Sequence, residues 1–222
     1  MENNLSECEI TLKDASYDSS HKEYMTECDI KVLNFDRIKG HYINKYLSGI
    51  NPDLKSNDVL CFSKEGLVFI EFKNGCIDAV ENNKIILKIY DSLFIFFEVC
   101  SELGFSKQIV QNSITYSRKN IEYILVYNKD RYNVQKGKLK DTPQTMKGVE
   151  RQLEKAGEKI EREKLQHSIS RDSILKRYGK IILFGLDRYK GYLFKNVYTL
   201  TKEEFNNKFV PRLENQKNEE VI

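Results

Sequence analysis

The chain has 222 residues, 40% of them hydrophobic and 11% aromatic, and its formal net charge at pH 7 is +3. A chain of this length buries roughly 70% of its unfolded surface, so we expect a globular domain that needs neither a disulfide nor a structural metal to fold. Its five cysteines include no Cys-x-x-Cys pair, which argues against a zinc ribbon and against a disulfide framework.

Patterns typical of signal peptides and membrane helices indicate the cellular compartment of a protein. The start of the chain lacks a basic stretch followed by an apolar one, so it is not typical of a signal peptide. The longest apolar run, in "DSLFIFFEVC", is far shorter than the about 20 residues of a membrane helix. We therefore expect a cytoplasmic protein that makes no contact with a membrane.

The first half of the chain predicts one helix and one hairpin. The first 30 residues are polar, and "EITL" is their only short strand candidate. Apolar residues recur at helical spacing over 33–48, and Gly49 follows as a stop signal, which predicts a helix. The turn cluster "INPDLKSND" leads to apolar runs at 59–63 and 67–73, which a tight turn around "KEG" joins as two strands.

The second half predicts a buried helix, more strands and a last helix. Apolar residues over 84–103, with Gly104 behind them, indicate a strongly buried helix. Buried strands are predicted at 121–127, in "YGKIILFGLD" and in "GYLFKNVYTL". Thr201 followed by Glu204 is a capping-box pattern that starts a short final helix, which Pro211 is expected to end.

A charged insertion separates these strands. Residues 129–180 hold 15 Lys or Arg and 8 Asp or Glu, an excess of seven positive charges on a chain whose remainder is acidic. Their helical pattern has a thin apolar stripe, which predicts an inserted helical arm between a first part of the core, 1–128, and its completion, 181–222. The arm is either a solvated face or a contact surface. In the second case we expect Lys136, Lys138 and Lys140 to bind nucleic acid, or the arm to hold a second copy or a larger complex.

The predicted hairpin brings two carboxylates together. A symmetric turn about residues 64 and 65 places Leu60 opposite Phe69 and Asp58 opposite Glu71, whereas a three-residue turn would shift Asp58 by one and make it a diagonal neighbour of Glu71. Both faces of the second strand are apolar up to residue 70, so this pair lies at the margin of a dry core. Two carboxylates there repel one another unless a cation lies between them.

A divalent cation with oxygen ligands fits this pair. The main-chain carbonyl of Phe72 is a third candidate ligand, and Mg²⁺, or Mn²⁺ in its place, is the expected ion. Lys73 lies on the same strand face as Glu71. It is therefore placed to orient or deprotonate a water and to stabilise charge on a phosphate.

The combination of Asp58, a hairpin's length, and then Glu71-Phe72-Lys73 resembles the PD-(D/E)XK nuclease superfamily. The order of predicted elements over 35–127 is similar to the αβββαβ core of that superfamily, although "INPDLKSN" shows no convincing first strand. The resemblance implies an α/β fold with a mixed central sheet flanked by helices. It also implies Mg²⁺-dependent hydrolysis of DNA phosphodiester bonds, by an endonuclease or an exonuclease, with Asp58, Glu71 and Lys73 as catalytic residues.

Further residues take their expected roles from the same resemblance. Lys84 and Lys88 on the buried helix are expected to contact a phosphate. Many members of the superfamily have an additional Glu on the first helix, where this sequence departs from the pattern and offers only Asp36. Defence against foreign DNA and DNA repair are both natural settings. Asp91 is better interpreted as a hydrogen-bonded residue than as a catalytic one.

Three interpretations stay open. The chain is an active nuclease, a catalytically silent nuclease-fold module that binds nucleic acid or protein, or a subunit that docks through its arm.

The three histidines are scattered and form no metal or triad pattern. The sequence also has no GxSxG, P-loop or GxGxxG motif, which removes the common hydrolase, NTPase and dinucleotide-binding classes.

Overall fold

The computed structural model describes residues 5–50, 52–63, 66–105, 107–131 and 182–217. Its strands, in chain order, are β1 (Glu9–Thr11), β2 (Tyr17–Asp18), β3 (Glu23–Tyr24), β4 (Lys31–Asn34), β5 (Val59–Ser63), β6 (Gly66–Lys73), β7 (Ile121–Tyr127) and β8 (Asn196–Thr201). The α-helices are α1 (Leu12–Ala15), α2 (Phe35–Tyr46), α3 (Ala79–Glu102), α4 (Lys107–Gln111), α5 (Ser113–Asn120), α6 (Lys202–Glu204) and α7 (Val210–Lys217).

Six of the strands form one mixed sheet in the order β1-β4-β5-β6-β7-β8, and β2 and β3 form a separate hairpin. The pairs from β1 to β6 are antiparallel, whereas β6, β7 and β8 run parallel. Helices flank this sheet, so the predicted α/β class with a mixed central sheet is confirmed.

The sheet is covered on both faces. Phe69 of β6 belongs to one buried cluster with Phe35 of α2 and Ile89 of α3. Ile70, the next residue, belongs to a second cluster with Phe205, behind the opposite face. Successive strand residues point to opposite faces, so β6 is a central strand with apolar packing on both sides, as its continuous apolar sequence predicts.

The helices that flank the site begin at identifiable caps. The Asn34 side chain accepts a hydrogen bond from the N–H of Arg37 at 3.0 Å and starts α2 inside the predicted 33–48. Asp78 accepts from the N–H of Glu81 at 2.9 Å, so α3 begins at Ala79, five residues before the predicted start. Strands β5 and β7 have the predicted bounds.

The order of strands differs from the expected αβββαβ arrangement. Residues 52–57, between α2 and β5, contain no regular secondary structure. On the side away from β6, β5 pairs with β4, which precedes α2 in the chain, with Leu33 opposite Leu60. The first 30 residues contribute β1, which is the predicted "EITL" strand, and the β2–β3 hairpin, which was not predicted. Strands of two residues carry too little periodic signal to be recognised.

Two other predictions are wrong. In "YGKIILFGLD" the described residues 182–187 form no strand, because Phe184 and Gly185 have φ angles of 61° and 66° and turn the chain into a 3₁₀ helix at Leu186–Tyr189. Pro211 does not end the last helix. A π-helical turn, Phe205–Phe209, precedes it, and Pro211 falls in the first turn of α7, where a missing N–H is tolerated.

The remaining expectations concern the last helix, the arm and the membrane. Thr201 and Glu204 form the predicted capping box at the start of α6. The arm lies outside the described residues from 132 onward, including Lys136, Lys138 and Lys140. None of the described helices is long and apolar enough to span a bilayer.

Candidate active site

The β5–β6 hairpin has the register expected from its symmetry. Leu60 pairs with Phe69 and Phe62 pairs with Leu67. The pairing ends at Val59 and Ile70, and one further step along the same register places Asp58 opposite Glu71. The carboxylates of the predicted pair therefore share one face at the end of the antiparallel ladder.

Asp58 is held by both its main chain and its side chain. Its carbonyl accepts a hydrogen bond from the N–H of Phe35 at 3.0 Å, which ties it to the start of α2. Its Oδ2 accepts from the N–H of Phe72 at 2.7 Å, where β6 has no strand partner on the β5 side. The N–H and C=O of one strand residue point to the same side, so the Phe72 carbonyl is also directed to the Asp58 edge of β6.

A lysine from α3 lies between the two carboxylates. Lys88 Nζ is 3.1 Å from Asp58 Oδ1 and 2.7 and 2.9 Å from the two oxygens of Glu71. Both carboxylates thus lie around a single nitrogen, within about 6 Å of one another, close enough to share a cation. The predicted contact of Lys88 with a phosphate stays a prediction, because in this structure its ammonium lies on the carboxylates.

Lys73 lies at the edge of the same group. Its Nζ is 3.4 Å from Glu71 Oε1 and 3.3 Å from Glu81 Oε2, and its side chain is 20% exposed. Lys84, one turn before Lys88 on α3, is more exposed and pairs with Glu81. The structure therefore brings Asp58, Glu71, Lys73 and Lys88 together, with Lys84 at the margin.

Burial makes Glu71 an unusual carboxyl group. Its side chain is completely buried, and this burial, followed by the nearby charge of Asp58, raises the pKa of Glu71 to about 7. Burial opposes the charged form of Lys88 as well, but the adjacent carboxylates of Glu71 and Asp58 outweigh it and raise the pKa of Lys88. At neutral pH the ammonium stays charged while Glu71 is close to its titration midpoint.

Asp36 on α2 lies beside this group. Its Oδ1 accepts hydrogen bonds from Lys39 Nζ, at 2.8 Å, and from Ser56 Oγ. Burial favours the neutral acid, but hydrogen bonds from Lys39 and Ser56 and the charge of Lys88 hold the pKa of Asp36 below its usual value. The acidic residue that the sequence offers on the first helix thus lies in the electrostatic field of the site.

Two polar residues near the site were not predicted. Tyr123 on β7 pairs with Phe69 and is completely buried, and its hydroxyl has no hydrogen-bond partner among the described residues. Burial, followed by the charges of Glu71 and Asp58, raises the pKa of Tyr123. Asn57, next to Asp58, is also buried, and neither its amide nitrogen nor its amide oxygen has a partner in the described part of the chain.

A Tyr within an apolar strand and an Asn in a turn cluster are common, so no pattern in the sequence distinguishes them. Asp91, in contrast, behaves as expected of a hydrogen-bonded residue. Its Oδ2 accepts from the N–H of Lys55 at 2.8 Å.

The donor atoms are compatible with a hard divalent ion, but the set is small. Asp58 and Glu71 supply carboxylate oxygens, and the Phe72 carbonyl is directed to the same edge. Across residues 5–131 and 182–217, apart from the undescribed positions, no group of three or more His, Cys, Asp or Glu side chains is arranged to hold a metal. A Mg²⁺ ion here would therefore complete its coordination with water or substrate oxygens.

The comparisons with known proteins add no family to this description. No protein-family model matches the sequence, and neither a curated protein nor a solved structure matches it.

Proposed function

We propose that the protein is a Mg²⁺-dependent nuclease that hydrolyses phosphodiester bonds in DNA. The observation that carries the proposal is the convergence of Asp58 and Glu71 on one cation, Lys88, with Lys73 beside them. A site that already holds one positive charge between two carboxylates has the electrostatics that a divalent ion requires. The sequence pattern of Asp58 and Glu71-x-Lys73 supports the same reaction class.

The residues that would hold Mg²⁺ are Asp58, Glu71 and the carbonyl of Phe72. Bound there, the ion would supply Lewis acidity and offset charge on the phosphate. The ammonium of Lys88 occupies the place between the carboxylates that the ion would take. If the ion neutralised the carboxylates, this ammonium would be free to move to the phosphate. Lys73, at the partly exposed edge, orients the attacking water or stabilises the charge of the transition state.

The test is cleavage of supercoiled plasmid and of a labelled oligonucleotide, with Mg²⁺, with Mn²⁺ and with EDTA. We expect cleavage that needs the metal. We also expect Asp58→Asn and Lys73→Ala to lower its rate by about 10²- to 10³-fold while the melting temperature changes little. Lys31→Ala, at an exposed position at the start of β4, is the matched control with near-normal cleavage. Equal cleavage by folded Lys73→Ala and the parent would remove Lys73 from the mechanism.

The contacts of Lys88 favour a second candidate, a catalytically silent module that binds nucleic acid or protein. Lys88 makes three contacts to the carboxylates, and Lys73 adds a second ammonium, so two positive charges balance two negative ones without a metal. In this case the group is a buried ion-pair network with a structural role. Absence of metal binding by the parent protein in calorimetry would favour this module over the nuclease.

A further inference from the structure

An exposed aromatic and basic surface lies on the α3 side of the sheet, apart from the carboxylate pair. It consists of Tyr90 on α3, Tyr192 before β8, and three cations, Arg118, Arg188 and Lys190. Tyr90 is 45% exposed and Tyr192 54% exposed, and the three cationic residues are exposed as well. We call these five residues the tyrosine surface.

The rings of this surface are held at defined positions. Tyr90 packs edge-on against Tyr189, with ring centroids 5.9 Å apart, and the guanidinium of Arg188 lies 4.9 Å from the centroid of the same Tyr189 ring. Arg118 lies 5.8 Å from the ring centroid of Tyr192 and donates a hydrogen bond from Nε to the Tyr192 carbonyl at 2.6 Å. Together with Ile86, the residues Tyr90, Arg188, Tyr189 and Tyr192 line a shallow pocket.

In the described part of the chain, the positive charges of this surface have no acidic partner. Among the residues that the structure describes, Arg118, Arg188 and Lys190 form no ion pair with a carboxylate. The acidic residue adjacent in the chain is Asp187. Cations that lie beside exposed rings, with no carboxylate partner among the described residues, raise the local concentration of a polyanion.

We propose that the tyrosine surface binds single-stranded nucleic acid, with bases stacked on Tyr90 and Tyr192 and phosphates contacted by Arg118, Arg188 and Lys190. Exposed aromatic rings accept unpaired bases of any sequence, and arginine planes add to the stacking. The bases of a duplex are already stacked on one another, so these rings favour single strands.

This surface and the candidate active site are connected through α3. Tyr90 lies two residues after Lys88, about 3 Å further along the helix axis, and its side chain is on a different face of the helix. A strand held by the tyrosine surface would have to continue around α3 to reach the carboxylates. Single-stranded nucleic acid then becomes the substrate class, an assignment that rests on the proposed function, whereas the binding itself does not.

The test is the fluorescence anisotropy of a fluorescein-labelled oligo-dT of about 20 nucleotides, with the full chain in EDTA at low salt. We expect Tyr192→Ala to weaken binding by about 5- to 100-fold, the effect of losing one base–aromatic stack, and Tyr192→Phe to bind like the parent. Tyr17→Ala is the matched control, because Tyr17 is also 45% exposed but lies on the separate β2–β3 hairpin. Arg118→Gln and Arg188→Gln are expected to reduce the slope of affinity against salt by about 0.7 each.

A blunt duplex of the same length, used as competitor, is expected to compete less well than the unlabelled single strand. Unchanged binding by Tyr192→Ala, absence of oligo-dT binding by the parent, or a duplex that competes equally well would each overturn the proposal. If oligo-dT binding depends on Tyr192 but no metal-dependent cleavage is found, the binding surface stands and the nuclease proposal fails. If metal-dependent cleavage is found but Tyr192→Ala binds oligo-dT as tightly as the parent, the nuclease proposal stands and the proposal for the tyrosine surface fails.

Discussion

At the scale of single residues, Lys88 distinguishes a metal site from a structural ion-pair network. Removal of its ammonium leaves Glu71 buried beside Asp58 with Lys73 as the remaining nearby cation. We expect Lys88→Ala at pH 8 in EDTA to lose about 3 to 5 kcal/mol of unfolding free energy, the usual cost of breaking a buried pair. If Asp58 and Glu71 are metal ligands, added Mg²⁺ restores much of that loss, because it takes the vacated position and binds the folded state alone.

Thermal unfolding with and without MgCl₂ measures this effect. Lys84→Ala, which loses a partly exposed pair with Glu81, serves as the control, and we expect it to change stability by less than about 1 kcal/mol. A Lys88→Ala protein whose melting temperature does not respond to Mg²⁺ or Mn²⁺ would speak for the structural network.

The raised pKa of Glu71 predicts how stability varies with pH. The folded-state pKa is about 7, above the ordinary value of 4.5, so between these values the folded protein holds a proton that the unfolded chain has released. The contribution of Glu71 is therefore fully present below about pH 4.5, and it is lost as the pH rises towards 7, by up to about 3 kcal/mol.

Urea unfolding of the parent and of Glu71→Gln at pH 5 and pH 8 isolates this contribution. We expect the unfolding free energy of the parent to fall relative to that of the variant between these two values. Parallel pH profiles would mean that Glu71 titrates normally. Metal affinity is expected to rise over the same range, because a carboxylate ligand must be ionised.

At the scale of secondary-structure elements, Gly66 permits β6 to approach the end of α5. Gly66 has a φ of +130°, and a Cβ built there would lie 2.1 Å from the carbonyl oxygen of Asn120, immediately before β7. A side chain would therefore have to move the start of β6 away from β7, and both strands carry the residues that surround the candidate site.

We expect Gly66→Ala to destabilise the protein by more than about 3 kcal/mol, through strain at positive φ and the backbone clash. Gly40→Ala is the matched control, because Gly40 lies within α2 and a Cβ there has nothing within 4 Å. We expect that substitution to stabilise the protein by about 0.5 to 1 kcal/mol. Urea unfolding of both variants tests the contrast, and similar stabilities would show that β6 can shift without cost.

At the scale of the whole molecule, the residues of the predicted charged arm, 129–180, lie in the sequence between two strands that are neighbours in the sheet. β7 and β8 pair in parallel, with Glu122 opposite Asn196, although the predicted arm separates them in the chain. An ion cluster lies where the chain leaves β7: Glu23 of β3 contacts Arg131 at 2.8 Å and Lys202 of α6 at 2.6 Å. The N-terminal hairpin, the end of β7 and the start of the last helix are thus joined at one place.

The excess of positive charge in 129–180 predicts a contribution to nucleic-acid binding. We expect charge reversal of Lys136, Lys138 and Lys140 to weaken DNA binding and to reduce its salt dependence by about 0.9 for each duplex phosphate that these lysines no longer neutralise. Metal affinity, measured by calorimetry, should stay unchanged. A triple variant that binds DNA like the parent at low salt would mean that these lysines serve another purpose, such as binding a second copy of the chain.

The sequence by itself determined the features that depend on neighbouring residues. The symmetric turn was sufficient for the register that places Asp58 opposite Glu71, because pairing in a tight hairpin follows from its loop. Helical periodicity and the Thr201–Glu204 capping box were readable for the same reason.

Tertiary structure alone decided what surrounds the carboxylates. Periodicity shows that α3 is buried, but its rotation and position over the sheet decide that Lys88, rather than Lys84, reaches Asp58 and Glu71. Three other contacts also join segments that are distant in the chain: the pairing of β4 with β5, the pairing of Tyr123 with Phe69, and the packing of Tyr90 against Tyr189. Such pairings depend on how whole elements pack, and the local sequence does not record that packing.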